Sequence, residues 1–457
     1  MSPRTEVLAI GFARALQVAI MFATYKALTQ LLTQEELGAY FYFLGIAGGV
    51  GLILVNPVGV FINRFIHQWV KDRSVAKKGL FFLGFSTLAG LTASVIVIGL
   101  SKTAGLGTAI AASSLGLYVV GNTITNTFIP AINILGRAIL FACLTVISQL
   151  VTVLVAMYAT SNNALASTWL WSYGCTFAVF GILAYGLTCR MNDSSSHIPE
   201  GSQSQSLFKF AWPLAVSNIG LWALTQGYRP LGAWLSSLES LAIIGLGIGI
   251  ASSVANAFEM LVHQIFMPKF FRSLHSNSAQ ERKEKWRQLW QCVVPLYLAV
   301  TCFAIGCSKI LLSLLASTTY ENAWIYLTIG ACAEFLRMLS STLSLVSVSE
   351  LKTRATVVPY LTGGAVFFVA AMAKTPLGHS VLLGQAATLL FMLWKFQDSQ
   401  WYKVSAGELR IMAASLLLVS PFFLESSGLV TKLLVLALAG LALGTILLLA
   451  TRKWASR

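Results

Sequence analysis

The sequence predicts an all-α, polytopic integral membrane protein of about fourteen transmembrane helices, and three observations carry that expectation. Hydrophobic residues make up 56% of the 457-residue chain, and its mean hydropathy is +0.75. Charged residues are 10%, against about 25% in soluble domains, which excludes a soluble enzyme, a disordered tail and a DNA-binding domain. The apolar runs are continuous, as over 429–450, unlike the alternating segments that build a membrane β-barrel. A span with its connection takes roughly 30 residues, so fourteen spans leave almost nothing outside the bilayer.

Taken in order, apolar runs bounded by charged or Pro/Gly/Asn clusters place spans at 5–32, 37–62, 79–100, 106–129, 138–160, 165–188, 207–228, 241–264, 290–314, 323–348, 355–373, 378–396, 408–424 and 429–450. The first is too long for a cleaved signal and carries Arg14 and Lys26, so it reads as a permanent span. With a cytoplasmic N-terminus, twenty-three of the 31 lysines and arginines fall in inside loops and four outside. That asymmetry predicts both termini in the cytoplasm. It also accounts for most of the net charge of +15 without any nucleic acid partner. The mixed-charge segment from His275 to Trp286 reads as a short helix lying at the membrane surface.

The Ser-rich stretch after the sixth span reads as a linker. The expected organisation is an N-terminal lobe of helices 1–6 over 1–190, a cytoplasmic linker over 191–206, a C-terminal lobe of helices 7–12 over 207–397, and an appended pair over 398–457. Six spans return the chain to its starting side, which suits two parallel repeats about an axis along the membrane normal. NPVGVFINRFI from Asn56 aligns weakly with NAFEMLVHQIF from Asn256, in support of that repeat. No phosphate loop, HExxH, CxxC or GxSxG motif occurs. No cofactor is implied, and transport is favoured over catalysis.

Ionisable groups at membrane depth need a partner, an aqueous cavity or an interface within reach, so the candidate site is sought among them. On the first span Arg14, Gln17 and Tyr25 share one helical face, with Lys26 about 120° away. That stripe suits a cavity wall facing an anion, or snorkelling of Arg14 and Lys26 to headgroups. On the seventh, Asn218 and Arg229 share a face beside Trp222, with Gln226 following. This is a sugar-contacting surface or an interfacial anchor. Asn56-Pro57 should kink the second span and free backbone carbonyls, with Arg64 two turns on. Asn122 and Asn126 line a cavity or bond between helices. On the eighth span Asn256, Glu259 and His263 form a stripe that could couple a proton or sodium ion, or make an inter-helix salt bridge. Glu334 and Arg337, three residues apart on the tenth, can neutralise each other.

The segments LTQEELGAYFYF at 32–43, NPVGVFINR at 56–64, FKFAWPLAVSNIGLWAL at 208–224 and the basic loop after the eighth span resemble the polysaccharide transporter family of the multidrug/oligosaccharidyl-lipid/polysaccharide exporter superfamily. The resemblance covers essentially the whole chain. It implies two six-helix lobes around a central cavity, and a flippase that moves an undecaprenyl-diphosphate-linked oligosaccharide to the periplasmic leaflet of a bacterial inner membrane. Similarity to the related lipid II flippases points to Arg14 and Arg64. Lys26 and Arg337 join them as groups for the diphosphate, Asn218, Trp222 and Gln226 as sugar contacts, and Glu259, His263 and Glu334 as the ion-coupling set. Expected partners are the lipid-linked oligosaccharide, membrane lipid, a coupling proton or Na+, and polysaccharide-assembly proteins. A multidrug/cation antiporter of the same superfamily and a membrane glycan polymerase or ligase remain as alternatives.

Overall fold

The structure is a computed structural model that describes residues 3–100, 106–191, 207–274, 279–349, 353–396, 406–424 and 428–455. The Ser-rich stretch 192–206 and residues 275–278 lie outside them. Among the described residues the elements are helices, with no strand, and nine helices are long and apolar enough to cross a membrane. Each of the fourteen expected spans coincides with a helical segment, and the chain is a multi-pass membrane protein.

The chain divides into two compact units, Met1–Trp222 with Gln226–Ala242, and Ala223–Thr225 with Ile243–Arg457. The lobes counted by span number are a different division, one of sequence repeat. The first unit holds α1 (Pro3–Leu31), α2 (Gln34–Val50), a π-helical turn (Gly51–Val55), α3 (Asn56–Lys71), α4 (Val75–Leu100), α5 (Leu106–Ile134), α6 (Ala138–Asn162), α7 (Ala166–Arg190), most of α8 (Leu207–Thr225), and α9 (Tyr228–Leu235). In it α5 packs against α4, α6 and α7. A Cβ on Gly121 would stand 2.3 Å from the Gly174 carbonyl oxygen, so only glycine lets α5 and α7 approach so closely. The Thr125 hydroxyl, one turn along, donates to the Phe177 carbonyl. Ile62, Ile66, Phe82, Phe128 and Ile132 form a buried core among α3, α4 and α5. The Glu36 carboxylate accepts from the Ala166 amide at 2.7 Å. An acidic group at the start of α7 satisfies an orphan N–H and suits the helix dipole.

The second unit holds most of α10 (Leu238–Leu274), then α11 (Ala279–Gly306), α12 (Ser308–Leu315), α13 (Trp324–Ser349), α14 (Val357–Met372), α15 (Leu377–Lys395), α16 (Ala406–Leu416) and α17 (Leu429–Ala455). Here α11 packs against α13, α16 and α17. Of the segment expected to lie on the membrane surface, the described part from Ala279 to Trp286 instead joins its span, because Ala279 to Gly306 is one helix. Trp286, Leu289, Trp290 and Val293 recur at i, i+3, i+4 and i+7 and are all buried, so the apolar stripe of the span continues into the polar segment. Trp286 stacks on Trp290 with centroids 5.3 Å apart, and its indole N–H donates to the Thr342 carbonyl on α13 at 3.2 Å.

Candidate functional site

The site in the first unit starts from a proline. Pro57 has no N–H, so some carbonyl one turn before it must lose its helical partner. The backbone resolves this by widening to a π-turn, in which the Asn56 amide donates five residues back to Gly51. In that register the next carbonyl, that of Leu52, would need the N–H that Pro57 lacks. Asn218 supplies it from α8, its amide nitrogen 2.6 Å from the Leu52 oxygen. One turn on, the Trp222 indole N–H donates to the Gly45 carbonyl at 2.9 Å. Gly45 permits the approach, since a Cβ there would lie 2.6 Å from Pro230 Cδ and 2.8 Å from Arg229 Cβ. Asn218 and Trp222, grouped with the sugar contacts in the sequence, thus hold the backbone of α2 and the π-turn.

Beside this seam lies a cleft of about 440 Å³, walled by α2, the π-turn, α3, α5 and the turn into α9. Five carboxamides line it, those of Asn56, Asn63, Asn122, Asn126 and Gln226, together with the Tyr118 phenol. Asn126 donates to Asn122 at 2.7 Å, whereas the side-chain oxygens of Asn63 and Gln226 are buried with no hydrogen-bond partner among the described residues. Such orphan acceptors cost free energy until a donor arrives. Among the described residues Arg229 is the sole charged one in the lining. It is 9% exposed, donates from Nε to the Tyr228 hydroxyl at 3.1 Å, and holds its guanidinium 5.5 Å from the ring centroids of Phe41 and Tyr228. Among the described residues no carboxylate pairs with it; the ion pairs there involve Arg287, Arg337 and His263.

The second unit gathers the acidic residues singled out in the sequence. Arg337 donates to Glu334 on its own helix and, across to α10, to Glu259 at 2.9 Å and Asn256 at 2.8 Å. Glu334 also accepts from the Ser252 hydroxyl. His263 Nε2 stands 3.8 Å from the other Glu259 oxygen, with 43% of the histidine side chain exposed. Glu259 and Glu334 are buried. One guanidinium between two carboxylates leaves a formal surplus of one negative charge. Among the described residues no group of three or more His, Cys, Asp or Glu is placed to hold a metal ion.

The remaining expected positions lie apart from the cleft lining. Arg14 donates to Gln17 at 2.8 Å and rests over the Phe141 ring at 5.7 Å. Tyr25 and Lys26 are half-buried on α1, and Arg64 is exposed on α3. Arg337, grouped with the diphosphate contacts in the sequence, spends its charge on Glu259 and Glu334. The part of Asn63 in the cleft was missed. Its signal was the spacing Asn56 to Asn63, seven residues, which repeats one helical face.

No family model matches the chain, and no curated protein matches it. Solved structures share its fold at low identity. The lipid II flippase MurJ in an inward closed conformation is 11% identical over 97% of this chain and 98% of that one, with a TM-score of 0.60. A MATE protein in a straight conformation is 12% identical over 90% and 95%, with a TM-score of 0.57. A transporter of the MOP superfamily from Pyrococcus furiosus, for which a binding pocket of reversed polarity is described, is 12% identical over 90% and 97%, with a TM-score of 0.52. The chain therefore has the fold of MOP-superfamily transporters.

Proposed function

We propose that the chain is a flippase that carries a polyprenyl-diphosphate-linked oligosaccharide from the cytoplasmic to the periplasmic leaflet of a bacterial inner membrane by alternating access. The observation that carries the reading is the cleft in the first unit, whose lining, among the described residues, holds five carboxamides and no carboxylate. Amides offer donors and acceptors in pairs, as sugar hydroxyls do. An organic cation would want the acidic groups that this lining lacks, which sets the antiporter reading behind the flippase. The shared fold with a lipid II flippase lends further support. The lobes 1–190 and 207–397, cytoplasmic termini, and the polysaccharide repeat unit as cargo are parts of the same proposal. In it Arg14, Lys26 and Arg64 draw the diphosphate to the membrane-embedded path, and the surplus charge at Glu259, Glu334 and His263 takes up the coupling proton or Na+.

The test is to delete the gene and locate the lipid-linked oligosaccharide with a membrane-impermeant label, on intact cells and on inverted vesicles. Accumulation confined to the cytoplasmic leaflet is expected. Normal appearance of the intermediate outside, with no polymer made, would shift the assignment to a polymerase or ligase.

A further inference from the structure

We propose that the cleft is shaped for a glycan bearing a carboxylate, that is, an acidic sugar, and that Arg229 is the residue that recognises it. The inference rests on the reading of the chain as a carrier of lipid-linked oligosaccharide and names the class of glycan.

Burial is the first ground. Arg229 is 9% exposed and, among the described residues, uses one of its five N–H donors, on the Tyr228 hydroxyl. A buried guanidinium without a counter-charge is costly, and its surroundings here are aromatic rings, a phenol and amides rather than an acid. Gln226, three residues away, lines the same cleft, and its side-chain oxygen is buried without a hydrogen-bond partner among the described residues. An incoming anion bearing hydroxyl groups would meet both needs at once.

Geometry is the second. With Nε held by Tyr228, the edge of the guanidinium formed by its two terminal nitrogens is left for the ligand, and two parallel N–H donors match the two oxygens of a carboxylate. Charge is the third. The lining offers a single positive charge, which a carboxylate balances one for one. The carrier's diphosphate, esterified at both ends, bears one negative charge on each phosphoryl group, and the second of these would be stranded in a buried site with one cation. The headgroup of the lipid carrier is thus a poor match for this arginine, whereas a uronic acid residue of its glycan is a good one.

Distance fits the same division. Arg229 packs at Gly45, and Asn56 and Asn63 lie eleven and eighteen residues along the helix, roughly 16 and 27 Å at about 1.5 Å per residue. The amides form a track for sugar hydroxyl and acetamido groups, with the carboxylate site at one end. Arg64, next after Asn63, stands towards the other.

The test uses the full-length protein in lipid nanodiscs and four soluble ligands: a glucuronate-terminated tetrasaccharide, the matched glucose-terminated tetrasaccharide, inorganic pyrophosphate, and the organic cation tetraphenylphosphonium. Calorimetry on the wild type is expected to show the acidic saccharide binding about 10- to 100-fold more tightly than the neutral one, the range of a charge-assisted hydrogen-bonded pair. Arg229→Gln should erase that preference while neutral binding persists, and Arg229→Lys should keep part of it. Equal binding of the two saccharides by the wild type overturns the inference and leaves the carrier reading standing. Pyrophosphate outcompeting the acidic saccharide overturns it in favour of the carrier headgroup. Binding of neither saccharide, with tight binding of tetraphenylphosphonium, removes both readings. Should Arg229→Gln fail to fold, the wild-type preference and the lysine variant still decide.

Discussion

Two arginines inside helical bundles meet opposite fates in this molecule. Arg337, in the second unit, is bracketed by Glu334, Glu259 and the Asn256 amide. Arg229, in the first, has aromatic rings and one phenolic oxygen around it and lies in the wall of a cleft. The contrast separates two uses of a buried charge. A cation with its acids already in place joins helices, and its removal uncovers charge. A cation left without acids is held ready for an anion from outside, and its removal relieves the fold while disabling recognition.

The largest effect is expected at Arg337. Arg337→Gln strands two buried carboxylates, so the second unit should lose about 3–5 kcal/mol, read as a sharp fall in melting temperature of the purified protein in detergent. Adding Glu259→Gln and Glu334→Gln to the same chain removes the stranded charges and should restore most of that loss. If Arg337→Gln melts like the wild type, the bracket of acids carries no structural weight and the contrast with Arg229 collapses.

Arg229→Gln should do the reverse. Its melting temperature is expected to match or exceed that of the wild type, because no buried charge is left uncovered and the Tyr228 hydroxyl alone loses a donor. Flipping of an acidic lipid-linked oligosaccharide in proteoliposomes should drop at least about tenfold, the loss of roughly 1.4 kcal/mol of binding. A variant that melts far lower with transport intact would make Arg229 a structural residue and move the anion site elsewhere.

The two arginines also mark how far the sequence could be read. Composition and continuous apolar runs locate the spans, since those depend on local hydropathy alone. Glu334 and Arg337, or Glu259 and His263, are visible as neighbours because three or four residues on one helix share a face. The bond from Arg337 to Glu259 joins α13 to α10 and leaves no trace in either segment. Arg229 reads locally as a loop or interfacial residue, and its burial depends on Phe41 and Gly45 from α2. Pro57 announces that a carbonyl is freed, and the sequence is right about that. That Asn218 satisfies it, from 166 residues away, is a fact of packing. Trp286 misled in the opposite sense: charged neighbours suggested a surface, and the apolar stripe through Leu289 and Val293 outweighed them.

Smaller effects test the seam that brings Arg229 to the cleft. Asn218→Ala leaves the Leu52 carbonyl without a donor beside a proline that cannot supply one, and should cost about 1 kcal/mol, visible as a modest fall in melting temperature. Transport should fall along with it, since the π-turn forms part of the cleft wall.

Trp222→Phe is the mildest and the most discriminating change. It retains an aromatic ring against Gly49, where a Cβ would lie 3.0 Å from the indole nitrogen, and removes only the hydrogen bond to the Gly45 carbonyl. That carbonyl sits in the regular part of α2, four residues before Gly49, so it keeps its helical partner when the indole is gone. Hydrogen bonds between membrane helices average about 0.6 kcal/mol, and the melting temperature should shift by no more than that implies. The two seam variants therefore differ for a backbone reason, one carbonyl being orphaned by Pro57 and the other not. Equal losses from Asn218→Ala and Trp222→Phe would show that the π-turn gains nothing special from Asn218. A clear gap between them would tie the placement of Arg229 to the proline that opened the helix.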